Sequence, residues 1–279
     1  MIAAFVPARR FSPLPGFGLS LGVTLTWVGL LVLLPFAALA LRPWELGLAG
    51  FVASVTTPRV LAAMRLSFGV ALGAAAFNLP AGLLIAWVLV RTRFPGRRLV
   101  DGLIDLPFAL PTAVAGIAFT ALYAPNGWIG GLFAPLGIRI AYGVPGIAVA
   151  LVFVGLPYVV RTLQPVLADL PTEVEDAAAT LGARRVQVIW RVILPVLAPA
   201  AVAGFAMAFA RAVGEYGSVI FIAGNMPGIS EIVPLLVVIR LEQFDYPGAA
   251  ALGLAMLLLS VLILGGLNLL QCHLRRHAS

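Results

Sequence analysis

Six apolar stretches, each about 20 residues long, divide this 279-residue chain: roughly 17–41, 66–90, 103–123, 144–163, 196–222 and 249–270. An apolar helix of about 20 residues matches the ~30 Å hydrocarbon thickness of a bilayer. Residues of the hydrophobic class make up 62% of the chain and charged residues 10%, against roughly one-quarter charged in soluble domains. A water-soluble fold of this length cannot hide that much apolar surface in one core, so lipid is the solvent. Frequent Gly and Pro suit membrane helices, where neighbouring helices satisfy the backbone groups they free. No stretch alternates with period two, which argues against a barrel. The expected fold class is all-α integral membrane, with about six transmembrane helices in a single domain over 1–279.

Arginine placement sets the orientation. Arg9 and Arg10 precede the first stretch, Arg91, Arg93, Arg97 and Arg98 follow the second, and Arg161, Arg184, Arg185 and Arg191 lie between the fourth and fifth. Arg275 and Arg276 follow the sixth, while Arg42, Arg59, Arg65, Arg139 and Arg240 are spread over longer segments of the other side. The positive-inside bias then predicts a multi-pass chain with both termini in the cytoplasm. The first stretch is longer than a signal-peptide core and ends without a small-residue cleavage site, so it reads as a retained helix. Two outer segments are expected to be partly structured: 45–65 as an interfacial helix leading into the second span, and 232–241 as an apolar piece too short to cross.

Composition also excludes functions. Every basic residue is arginine, so there is no P-loop lysine, and ATP chemistry falls to a partner. The arginines sit in short loops between apolar spans, as an orientation signal rather than a nucleic-acid face. Cys272 is the single cysteine, which rules out an internal disulfide. Cys272, His273 and His277 share a short tail without a fourth ligand, so no metal site is expected. No H-E-x-x-H or G-x-S-x-G occurs, and the tail holds both histidines, so no catalytic residues are assigned. A secondary transporter would need ion-coupling groups within the spans and a repeat between halves. Only Glu215 and Asp105 qualify, and no repeat is evident.

The longest cytoplasmic segment, 164–195, differs from the rest. It concentrates Asp169, Glu173, Glu175 and Asp176 and then turns basic. Thr172 followed by Glu175 fits a capping box that would start a helix. Val174, Ala177, Ala178 and Leu181 then share one face, and Gly182 suits the left-handed position after a helix end. A second helix would carry Val186, Ile189, Trp190 and Ile193 on one side, with Pro195 marking the exit into the fifth span.

The run Glu175-Asp176-Ala177-Ala178-Ala179-Thr180-Leu181-Gly182, followed by Val192-Ile193-Leu194-Pro195, resembles the EAA loop of ABC-importer permeases. That pattern reads Glu-Ala-Ala, three residues, Gly, nine residues, Ile-x-Leu-Pro. Asp176 stands for the glutamate and Val192 for the isoleucine, while Ala177, Ala178, Gly182, Leu194 and Pro195 match. In the family this loop is the coupling helix that docks on the ATPase, so the resemblance implies that role for Glu175, Asp176, Ala177, Ala178, Gly182, Leu194 and Pro195.

The likeness extends over nearly the whole chain. The stretch from Leu106 to Gly116 looks like the start of the third core helix of oxyanion-importer permeases. Ala210-Arg211-Ala212-Val213-Gly214-Glu215-Tyr216-Gly217-Ser218, with Ile222-Ala223-Gly224-Asn225, resembles a segment shared by molybdate and sulfate permeases. With Asn225-Met226-Pro227, Ser230-Glu231-Ile232-Val233-Pro234 and the run from Leu241 to Tyr246, it is similar to T-type permeases of sulfate/thiosulfate importers. A molybdate/tungstate or other oxyanion permease is the alternative. The resemblance implies a type I ABC-importer permease fold in the bacterial inner membrane. Its implied partners are a second similar permease, two ATPase subunits that bind ATP and Mg, a periplasmic sulfate/thiosulfate-binding protein and membrane lipid. It implies no cofactor in this chain and no nucleic acid.

A dianion crossing hydrocarbon needs N–H groups, hydroxyls or positive charge, and an unshielded carboxylate would repel it. Arg211 and Glu215, four apart in the fifth stretch, can pair on one face. They are candidates for the translocation path or gate with Tyr216, Ser218 and Asn225, or else a pair that locks helices together. Asn78 is expected to bridge helices, and Gly214 and Gly217 to be close-packing positions.

Overall fold

A computed structural model describes residues 16–278, with side chains described to residue 273. Arg9 and Arg10, and the side chains of Arg275, Arg276 and His277, which enter the orientation and tail readings, lie outside the described residues.

Backbone in lipid must satisfy its own hydrogen bonds, and this chain does so with helices. The first runs over Phe17–Val28, a π-turn at Gly29–Leu33 and Leu34–Leu41 (together α1). A 3₁₀ turn leads to α2, Gly47–Val55. Thr57 caps α3, Pro58–Arg91, accepting from the Val60 N–H at 3.3 Å, with Pro58 at the first helical position, where proline's missing N–H costs nothing. Then come α4, Arg97–Ile104, one turn at Leu106–Ala109, and α5, Thr112–Tyr123. Besides single turns at Gly130–Phe133 and Val219–Ile222, the longer helices that follow are α6, Val144–Asp169, α7, Thr172–Thr180, α8, Arg185–Val213, α9, Val233–Glu242, and α10, Tyr246–Ala278.

Among the described residues five helices are long and apolar enough to cross a membrane: Phe17–Val55, Pro58–Arg91, Val144–Asp169, Arg185–Val213 and Tyr246–His273. The third expected span, 103–123, is not one helix. Pro107 and Pro111 interrupt it, and Leu110, just before Pro111, is extended at φ −86°, ψ 132°, as a residue preceding proline prefers. The interrupted segment still passes end to end. Asp105 bonds Arg161, two turns before the end of α6, and the Tyr123 carbonyl accepts from Ala141 just before α6 begins. From Val144 to Arg161, α6 rises about 26 Å.

Other boundaries move too. The second span starts at Pro58, so Arg59 and Arg65 ride on its first turns. The fifth begins at Arg185 and stops at Val213, short of Ile222, because the chain leaves the helix at Gly214. Segment 45–65 holds α2, which continues the first apolar helix, and then the first turns of α3. Segment 232–241 forms α9, which packs into the bundle against α3 and α10. Val233, Leu235 and Leu236 are buried, and the Val233 N–H donates to Ser67 Oγ at 3.0 Å.

The core is the trio α3, α6 and α8. Small residues let these backbones approach: a Cβ on Gly82 would come within 2.7 Å of Val159 Cγ1, and one on Gly204 within 3.1 Å of Val159 Cα. Asn78, fully buried, bridges α3 and α6 by donating from Nδ2 to the Val152 carbonyl at 3.1 Å. Helix α1 lies outside this trio with none of its residues buried, and its neighbour is α10.

Candidate functional site

Side-chain bonds define two ends of the bundle. Arg91, Asp101, Asp105 and Arg161 gather where α3 and α6 finish, and segment 164–195 projects there (the loop end). At the far end Arg59 meets Glu231 and Arg240 meets Ser54.

At the loop end, α7 starts at Thr172 as expected, but without the capping box. Pro171 holds the cap position and no side chain caps the helix. Glu175 turns instead to Arg91, with Oε1 2.8 Å from Nη2. The helix stops on Gly182 at φ +82°. The Ala183 N–H donates to the Ala178 carbonyl and the Gly182 N–H to the Ala179 carbonyl, both at 3.0 Å. That pair of bonds is a Schellman ending, which requires the left-handed residue glycine supplies. Arg184 N–H then donates to Gln187 Oε1 at 2.8 Å as the next helix begins.

No residue of α7 is buried. Of the expected face, Val174, Ala177 and Leu181 look outward, with Leu181 89% exposed, while Ala178 is half-buried against the core. An apolar helical face left uncovered is a surface for a partner. The second helix of the loop is not a separate piece, since α8 runs unbroken into the fifth span. Of its expected side only Ile193 is buried: Val186, Ile189 and Trp190 are exposed, and Val188, outside that side, is buried. A π-turn at Ile189–Ile193 adds a residue to the turn and rotates the face. Pro195 follows it inside the helix rather than ending it. Asp176 and Ala177 are exposed, Ala178 and Leu194 half-buried and Pro195 exposed. A cavity of about 530 Å³ under α7 is lined by Trp87, Glu175, Asp176, Arg185 and Ile193.

Beside it Arg161 uses its guanidinium to hold α4 on α6. Nε and Nη2 donate to the two Asp105 carboxylate oxygens at 2.8 and 2.6 Å. Nη1 donates to Asp101 Oδ1 at 2.7 Å and to Gln164 Oε1 at 2.6 Å. The Gln164 amide, and with it Arg161, hold the Asp101 carboxyl below its ordinary range, against the opposing effect of burial.

The second candidate set lies where α8 ends. Arg185 to Arg211 is about 39 Å along the helix at 1.5 Å per residue, so the loop and gate candidates are separate sites joined by α8. Arg211 and Glu215 do pair, Nη1 to Oε2 at 2.5 Å, but Glu215 lies just beyond the helix rather than on its face. Its side chain is 2% exposed and that of Arg211 32%. Glu215 Oε1 also accepts from Ser218 N–H and Ser218 Oγ, both at 2.9 Å. Ser218 is fully buried, so its hydroxyl serves the carboxylate. Tyr216 is half-buried against the core. Asn225, at φ +53°, donates from Nδ2 to the Ile220 carbonyl at 2.8 Å, and its Oδ1 is buried without a hydrogen bond.

Gly217 is a close-packing position, since a Cβ there would meet Thr112. Gly214 is not: nothing lies within 4 Å of an added Cβ. Gly116 is a close approach that sequence reasoning missed, where a Cβ would sit 2.5 Å from the Ser218 carbonyl oxygen. Arg59 and Glu231 were missed as well. Arg59 Nε and Nη2 donate to both carboxylate oxygens at 2.8 and 2.6 Å. The signal was a lone carboxylate in the apolar run from Ile229 to Val237.

Comparison with known proteins supplies the context. Residues 78–276 match the family described as binding-protein-dependent transport system inner membrane component. The sulfate transport system permease protein CysT of Synechocystis is 48% identical over 97% of this chain and 95% of its own length. The protein of the same name from Escherichia coli is 48% identical over 97% of both. Among solved structures, a bacterial ABC transporter involved in import of the acidic polysaccharide alginate superposes with a TM-score of 0.77. It is 14% identical, covering 92% of this chain and 94% of that one. The MetNI methionine ABC transporter gives 0.54 at 18% identity, covering 80% of this chain and 99% of that one.

Proposed function

This chain belongs to the family of binding-protein-dependent transport inner-membrane components, and from that membership we propose that it is the transmembrane subunit through which an ATP-driven importer passes sulfate or thiosulfate. The observation carrying the substrate is the 48% identity over 97% of the chain to permeases named for sulfate transport. The loop-end geometry supports the coupling half of the reading. An uncovered helix, closed by a Schellman turn and continuous through α8 with the Arg211–Glu215 pair, is suited to receive a push from an ATPase and deliver it to the pathway.

In this reading a second similar permease completes the pathway, two ATPase subunits bind and hydrolyse ATP, and a periplasmic protein delivers the anion. The membrane is the bacterial inner membrane, with the loop end cytoplasmic. Arg211, Asn225 and the backbone around Gly214–Ser218 form the gate. Glu215 is compatible with a dianion there because Arg211 and two donors from Ser218 already engage its charge.

The test is uptake of labelled sulfate, thiosulfate and molybdate by cells lacking this chain, with and without it restored. Sulfate and thiosulfate uptake should return and molybdate uptake should not. Return of molybdate uptake alone would move the assignment to a molybdate/tungstate importer.

A further inference from the structure

Arg91 ends α3 at the loop end, and three elements meet on its side chain. Nη2 donates to the Leu170 carbonyl at 2.9 Å, where α6 finishes. The same nitrogen lies 2.8 Å from Glu175 Oε1 in the first turn of α7. The guanidinium carbon sits 6.0 Å from the centre of the Trp87 ring, one turn back on α3. Both charged side chains are largely shielded, at 14% and 24% exposure, so water screens this pair less than a surface pair.

Among the described residues this is the one ion pair joining α7 to the spans. The pair is close but misaligned: Arg91 Nε and Glu175 Oε1 are both buried, and neither makes a hydrogen bond. Buried polar groups are ordinarily satisfied, and leaving them unmade is unfavourable. A small displacement of α7 against α3 can align the guanidinium and carboxylate, and the cavity beneath α7 gives room for it.

We propose that Arg91 is a positioning residue for transport, the strut that carries a displacement of α7 into α3 and α6. The inference rests on reading α7 as the helix that docks on the ATPase. Two routes then leave that helix. One is covalent, through Gly182 into α8. The other is electrostatic, through Glu175 and Arg91 into α3 and, by Leu170, into α6. With both engaged, the three core helices receive the displacement together. With Arg91 neutralised, α8 moves alone and hydrolysis is no longer matched by transport.

The test uses the complete importer in proteoliposomes with loaded delivery protein, measuring sulfate moved per ATP hydrolysed and ATPase subunits retained on the purified permease. The wild-type complex is assayed first. If it moves no sulfate, the proposed function fails, whatever the variants do. Given wild-type transport, Arg91→Met should retain the ATPase subunits yet move about tenfold less sulfate per ATP, within the range for residues along a coupling route. Arg91→Lys, which keeps the charge and a donor for Leu170, should recover the ratio to within about threefold. Glu175→Gln should lower the ratio, and Arg91→Met/Glu175→Gln should be no worse than the poorer single variant, because both break one contact. A normal ratio for Arg91→Met, failure of Arg91→Lys to recover it, loss of ATPase subunits in step with uptake, or multiplied losses in the double variant would each overturn the strut.

Discussion

Glu215 and Glu231 are both 2% exposed, and each is paired with an arginine that is not: Arg211 at 32% and Arg59 at 49%. This asymmetry decides which partner matters for stability. Removing the arginine strands a fully buried carboxylate, whereas neutralising the carboxylate leaves a guanidinium that is only partly buried. Arg211→Met should therefore cost about 3 kcal/mol and Glu215→Gln about 1 kcal/mol, since Gln still accepts from Ser218. Thermal unfolding in detergent, followed by the loss of monodisperse chain, measures the difference. Equal losses would place the two side chains in equivalent environments and contradict the burial. The double variant Arg211→Met/Glu215→Gln should recover the folded chain. If the pair is also the gate, the assembled double variant should hydrolyse ATP without needing loaded delivery protein. Fully coupled uptake by that variant would reduce the pair to packing. The i,i+4 spacing made this pair legible in the sequence. That Glu215 lies past the helix end and occupies Ser218 was not, because a helix end at Gly214 competes with an apolar run continuing to Ile222. The Arg59–Glu231 contact joins residues 172 apart, a pairing that no local pattern encodes.

The irregular elements have causes written in the sequence. Both π-turns occur immediately before a Leu-Pro step, Gly29–Leu33 before Leu34-Pro35 and Ile189–Ile193 before Leu194-Pro195. Proline removes a helix donor and its ring crowds the preceding turn's carbonyl, so the helix widens by a residue to relieve it. In both, the Leu N–H donates five residues back, to Gly29 and Ile189 respectively. Pro107 and Pro111 instead break α4 from α5, because Leu110 is extended between them. Counting apolar residues finds these segments but cannot tell a proline that widens a helix from one that ends it. Gly182 was legible for a different reason: a Schellman ending is local chemistry. Nothing lies within 4 Å of an added Cβ at Gly182, so a substitution there meets backbone strain and no clash. Gly182→Val, β-branched at φ +82°, should cost about 1–2 kcal/mol at the turn. Because α7 buries none of its residues, the chain should stay in the membrane while transport and ATPase stimulation collapse. Gly182→Asn, which tolerates the left-handed region, should retain part of both. Normal transport by Gly182→Val in a proteoliposome assay would remove the turn from the coupling route.

At the scale of the whole molecule, six passes were legible because lipid permits few alternatives to helices, and the passes follow from apolar length alone. What length could not show is that the passes are unequal. The trio α3, α6 and α8 forms the core through small residues, α1 stands outside against α10, and the third pass is broken. The orientation expected from charge is a separate matter, and the structure adds to it by grouping residues at each end. Arg91, Asp101, Arg161 and Glu175 share the loop end through direct bonds or ion pairs, and Arg59, Glu231, Arg240 and Ser54 are bonded at the other. Residues bonded within one end must lie on the same side, so a correct topology has to move them together. Reporter fusions after Arg97 and Arg185 should both report cytoplasm, and fusions near Arg139 and Gly228 should both report periplasm. A periplasmic signal at Arg185 would put α7 beyond the reach of a cytoplasmic ATPase and sink the coupling reading. A split result, with Arg97 and Arg185 on opposite sides, would contradict the packing itself, since Arg91 could not then bond Leu170 and Glu175.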